Sequence, residues 1–71
     1  MSIRELLNQF EIEGAFIIKA YNEKTEEDII LDEGEQFEYQ IWNDENGVLD
    51  RKITYMYADK GVLNIEVEYK D

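Results

Sequence analysis

The stretch RKITYMYADKGVLNIEVEY, Arg51 to Tyr69, decides the fold. Its first leg sets Ile53, Tyr55 and Tyr57 in phase, Asp59-Lys60-Gly61 turns the chain, and the return leg sets Leu63, Ile65, Val67 and Tyr69 in phase. Successive side chains of a strand point to opposite faces, so period two on both sides of a glycine turn predicts a β-hairpin with one apolar face.

Working back towards the N-terminus, Asn43-Asp44-Glu45-Asn46-Gly47 is the densest turn signal, and Val48-Leu49-Asp50 after it predicts a further turn or a short helical piece. QFEYQIW, Gln36 to Trp42, alternates again, with Phe37, Tyr39 and Ile41 on one side and Glu38, Gln40 and Trp42 on the other. Gly34, ahead of it, is placed to supply a positive φ at a turn. EDIILD puts Ile29 and Leu31 on one face and Ile30 on the other, and AFIIKAY, Ala15 to Tyr21, aligns Phe16, Ile18 and Ala20. The residues between these last two runs, Asn22 to Glu26, read as a hairpin loop.

A helix is predicted at the N-terminus. Ser2-Ile3-Arg4-Glu5 has the capping-box spacing, in which the serine side chain accepts from the amide three residues on and the glutamate reaches back. Ile3, Leu6, Leu7 and Phe10 then form one apolar stripe over roughly two to three turns. Alone, so short a helix is marginal, so it must lie on something. The strands' in-phase residues make one sheet face almost wholly apolar. The expected architecture is therefore α+β: a short N-terminal helix packed on one face of a mostly antiparallel four- to five-stranded sheet, with residues 1–71 as a single small acidic domain.

Composition narrows the function. Eighteen acids against seven bases give a formal charge of −11, which opposes direct nucleic-acid binding and attachment to an anionic membrane. With 44% hydrophobic residues, nine aromatics and no proline, the chain has the means to build a core. The opening residues MSIRELLNQFE lack the apolar core of a signal peptide, and no apolar run approaches the ~20 residues of a membrane helix. No cysteine is present, which fits a reducing compartment, and the expected localisation is cytoplasmic.

Catalytic parts are scarce. No His or Cys accompanies the few hydroxyls, Ser2, Thr25 and Thr54, so acyl-transfer chemistry has no base or thiolate to use. Placing Gly47 as the sixth residue of an EF-hand loop puts Trp42 first and Ile53 last, which fails at both ends. The four glycines are spaced as turn residues, without a phosphate-binding run. Neither a cofactor nor a metal is expected, and the chain does not read as an enzyme.

Two surfaces stand out. The sheet face opposite the core carries mostly polar residues together with Ile17, Ile30, Trp42 and Met56, from which Trp42, Ile30 and Met56 are candidate partner-binding residues with Trp42 as anchor. Scattered surface hydrophobes are the plainer reading. The second surface is EKTEEDIILDEGEQFE, whose Glu23, Glu26, Glu27, Asp28, Asp32, Glu33, Glu35 and Glu38 against one lysine give a net −7. Such charge serves solubility and guards sheet edges, or it engages a basic groove in place of nucleic acid.

The segments QFEIEGAFIIK and ITYMYADKGVLNIEVE, Gln9 to Lys19 and Ile53 to Glu68, resemble those of small acidic proteins encoded on integrative conjugative elements (conjugative transposons) of low-GC Gram-positive bacteria. That family has no established activity. The resemblance therefore implies a setting, a cytoplasmic accessory protein of a mobile element, and carries over no site residues. Two expectations of different class follow. One is a non-catalytic protein-interaction module, with a homodimer among its forms and its protein partner unidentified. The other is an acidic inhibitor or nucleic-acid mimic that occupies the basic groove of a DNA-handling protein.

Overall fold

The computed structural model describes residues 1–35 and 47–70. Its elements in chain order are helix α1 (Ile3–Gln9), strands β1 (Ala15–Asn22) and β2 (Glu27–Gly34), a 3-10 helix (Val48–Asp50), and strands β3 (Ile53–Asp59) and β4 (Val62–Val67). The expected strand Gln36–Trp42 and the turn residues 43–46 lie outside the described residues.

The sheet order is β2-β1-β4-β3. Two antiparallel hairpins, β1–β2 and β3–β4, meet through a parallel pairing of β1 with β4. The fold is therefore α+β with a mixed, mostly antiparallel sheet, as the pattern predicts. The two inner strands are the most apolar and the most buried, and Phe16, Ile18 and Ala20 of β1 stand in register with Leu63, Ile65 and Val67 of β4. Ile3 and Leu6 of α1 and Val48 of the 3-10 helix complete this buried cluster.

Local chemistry explains the element ends. Ser2 caps α1 with its side chain accepting from the Glu5 amide at 3.2 Å, and the Glu5 carboxylate returns to the Ser2 amide at 3.4 Å. Arg4 clamps Asp50 through two bonds, Nε–Oδ1 at 2.8 Å and Nη2–Oδ2 at 3.2 Å, tying α1 to the 3-10 helix and holding the Asp50 carboxyl below its usual range. Both partners are well exposed, so the pair positions the helix more than it stabilises it. Between β3 and β4 only Lys60 and Gly61 intervene, both at positive φ (52° and 78°), the two-residue type I′ geometry that matches strand twist.

Four expectations are corrected. First, Phe10 caps the end of α1 in an extended conformation and is 57% exposed, so the helix is two turns long and its stripe ends at Leu7. Second, Gly34 is the last residue of β2 and takes no positive φ; the strand continues through the position where a turn was expected.

Third, β3 carries a bulge. Its register with β4 shifts between Ile53 and Tyr55, because Ile53 opposes Val67 while Tyr55 opposes the adjacent Glu66. One extra residue reverses the facing of everything beyond it. Tyr55 and Tyr57 thus leave the core face, and Met56 and Ala58 take it, in register with Ile65 and Leu63. Fourth, a second bulge at Leu31 sets Ile18 against Asp32 and Lys19 against Ile30. Leu31 still packs against the core and Ile29 still shares the core-side face, but Ile29 lies on an outer strand and is exposed.

Truncating Phe16, the largest fully buried side chain, tests this account of the core. Phe16→Ala should cost about 3–5 kcal/mol, comparable with the ~4–10 kcal/mol total of a chain this short. Urea titration followed by tyrosine and tryptophan fluorescence should show the variant's midpoint far below the parent's, whereas Phe10→Ala should unfold close to the parent.

Candidate functional site

Strand register builds the uncovered face row by row. Residues opposed across neighbouring strands share a face, so Ile30, Lys19, Glu66 and Tyr55 form one row from β2 to β3, and Glu33, Ile17, Asn64 and Tyr57 form the next. No described helix lies on this side; α1 and the 3-10 helix both pack on the other. Ile30 is 57% and Tyr55 56% exposed.

One polar clasp crosses the face. Lys19 Nζ donates to the Tyr57 hydroxyl at 2.7 Å and lies 5.0 Å from its ring centroid, reaching over β4 from one neighbouring strand to the other. The Tyr57 hydrogen bond, opposed by desolvation and reinforced by the carboxylates of Asp28 and Glu66, holds the ammonium's pKa above its ordinary value. Tyr55 packs on Tyr57 with centroids 5.2 Å apart. Asn64, only 7% exposed between Ile17 and Tyr57, satisfies its amide on the Val62 carbonyl at 3.2 Å. The centre of the face is thus a fixed aromatic and ammonium platform, and its apolar margins, Ile30 and Tyr55, stand open to solvent.

The candidate residues separate on this geometry. Ile30 lies on the uncovered face, as expected. Met56 does not: the β3 bulge turns it to the helix-covered side, on the opposite outer strand from Ile30, where it is 43% exposed. The two cannot form one patch. Trp42 and Glu38 lie outside the described residues. The aromatic pair and the Lys19 clasp were missed because an unbroken period two in ITYMY hides a bulge.

The carboxylates gather along one strand. Glu23 and Glu26 lie in the β1–β2 loop, with Glu26 at a positive φ of 58°, while Glu27 and Asp28 open β2, Asp32 and Glu33 close it, and Glu35 follows in a bend. Glu27, Asp28 and Asp32 fall in the run EDIILD read as a strand, and Glu33 extends that strand through the position where a turn at Gly34 was expected. Among the described strands β2 is an outer one, so both acidic groups flank Ile29-Ile30-Leu31 on a single edge. Near the loop, a groove of about 530 Å³ brings Glu23 beside Tyr21, Thr54, Glu66 and Tyr69.

Asp32 differs from the other acids. The Leu31 bulge turns it to the core side opposite Ile18, where burial raises its pKa against the lowering effect of the Glu33 amide, which donates to Oδ1 at 2.9 Å.

Comparison with protein-family models, curated proteins and solved structures finds no match.

The sign of the Asp32 effect is testable. A carboxyl whose folded pKa lies above its unfolded value favours folding at pH below the unfolded value, and that contribution is lost as pH rises through the folded one. Asp32→Asn keeps the acceptor for the Glu33 amide and removes the partly buried charge. Its melting temperature should exceed the parent's at pH 7 and converge on it near pH ~3, where the aspartate is protonated. Equal increments at both pH values would contradict this.

Proposed function

We propose that the chain is a non-catalytic protein-interaction module, a small cytoplasmic accessory protein of the mobile-element setting that its segments resemble. The observation that carries this reading is the uncovered sheet face, where Ile30 and Tyr55 flank the Lys19–Tyr57 clasp and stand more than half exposed. A rigid sheet with apolar margins and an ordered polar centre suits a protein partner. Apolar contacts supply affinity, and the fixed ammonium and hydroxyl select orientation. Trp42 belongs to the same reading as a candidate contact from sequence.

A second reading has its own observation. Glu27, Asp28, Asp32 and Glu33 lie on one strand, with Glu26 just before it and Glu35 just after. Side chains alternate between faces along a strand, and the register sets Asp28 and Glu33 on the uncovered side of β2 and Glu27 and Asp32 on the other, so the edge is acidic on both sides. On this reading the acidic edge occupies the basic groove of a DNA-handling protein, and the uncharged Ile29-Ile30-Leu31 divides it into two contact groups.

Capture from a low-GC Gram-positive lysate separates the two readings. On the module reading, a partner retained at moderate salt should be lost with Ile30→Lys and kept when Glu27, Asp28 and Glu33 are neutralised to Gln, Asn and Gln. The mimic reading gives the converse: retention at low salt only, loss on neutralisation and indifference at Ile30. A partner indifferent to both sets of changes counts against both.

A further inference from the structure

The two outer strands of the described sheet differ in kind. An unpaired strand edge is a template for another chain, and proteins blunt such edges with charge, proline or bulges. β2, EDIILDEG, carries four carboxylates in eight residues. β3 carries none from Ile53 to Ala58: ITYMYA is six consecutive residues without charge, proline or glycine. Its β-branched and aromatic content is what cross-strand pairing favours.

The start of β3's outer edge is already used. Lys52 accepts the Glu68 amide on the β4 side, so the next residue faces outward, and the Ile53 amide donates to the Met1 carbonyl at 2.7 Å where Ser2 bridges Lys52. Beyond that point no described strand pairs with this edge. The bulge also lies at this end, which leaves Tyr55–Asp59 regular.

We infer that the edge Tyr55–Asp59 is a self-association surface, on which a second copy of this chain pairs antiparallel across a two-fold axis to continue the sheet. Charge selects this occupant and this edge. Two chains of −11 repel each other, but the charge is unevenly shared: residues 1–46 hold thirteen acids and three bases, and residues 47–71 hold five acids and four bases. The β3–β4 hairpin is thus the nearly neutral side of the molecule. β2 lies three strand spacings from β3, ~14 Å at ~4.8 Å each, beyond the ~8 Å screening length at physiological salt. Paired through β3, two copies hold their acidic strands at the far ends of one sheet, seven spacings or ~34 Å apart.

The edge is also self-complementary. With the axis at Tyr57, the midpoint of the open segment, Met56 of one copy opposes Ala58 of the other, Tyr55 opposes Asp59, and Thr54 opposes Lys60. No like charges meet, and the phenol of Tyr55 finds a carboxylate. The inference does not rest on the uncovered-face reading, since that face can bind a partner with or without a second copy at the edge.

Sedimentation equilibrium on the whole chain, from about 10 µM to 1 mM and at about 0.05 and 0.5 M salt, tests it. The mean mass should rise from 8.5 kDa towards twice that value, and at lower concentration in the higher salt, because screening weakens the repulsion. Tyr55→Lys and Met56→Lys should each weaken self-association at least tenfold, with melting curves confirming that both variants fold, while Ile30→Lys leaves it unchanged. The mass of a single chain throughout would overturn the inference. So would a dimer insensitive to both edge lysines, or one abolished by Ile30→Lys.

Discussion

The parallel pairing of β1 with β4 is the constraint on which the rest depends. Each hairpin brings one apolar strand and one polar or mixed strand, and neither can bury its apolar member alone. Setting Phe16, Ile18 and Ala20 beside Leu63, Ile65 and Val67 makes a strip two strands wide, which α1 and the 3-10 helix are large enough to cover. The outer strands then fall beyond the cover, which is why β2 and β3 are exposed along most of their length. The same pairing fixes what lies opposite. Ile17, Lys19, Asn64 and Glu66 become neighbours because their alternates are the core.

Much of this was legible in the sequence because it is local. The capping box at Ser2 and Glu5, the Lys60-Gly61 turn and the alternation of AFIIKAY and VLNIEV each rest on residues a few positions apart, and each forms the element its pattern predicts. What could not be read is whatever one strand imposes on another. The partner of β1 across the sheet is chosen by distant residues, and so is the bulge at Thr54, which turns Met56 inward and sends Tyr55 and Tyr57 outward while the sequence alternates without a break. The candidate site suffered accordingly: Ile30 was placed on the correct face and Met56 on the wrong one. The acids of β2 were readable as a cluster, but their sharing of one strand edge was not, since Gly34 looked like a turn and is extended.

Lys19 shows how such a sheet tolerates polarity near its centre. A lysine on an inner strand would ordinarily extend into water. Here the neighbouring position on β4 is the small amide Asn64 or the acid Glu66, so the long side chain can lie across to Tyr57. The carboxylates of Asp28 and Glu66 favour the charged ammonium from either side.

The pairing of Ala15 with Val62 and of Ala20 with Val67 joins positions 47 residues apart. Both hairpins close over short loops, on the microsecond scale of such events, but the core exists only once the two have met. The strand pairing that completes the core is therefore the one of longest sequence separation, which carries the largest loop-closure cost. Until it forms, the ribbon Ala15–Asn22 is an apolar strand with its inner flank unsatisfied. The four carboxylates of the adjoining β2 lie next to that ribbon in the first hairpin. Charge placed beside an exposed apolar strand opposes the association of incompletely folded chains.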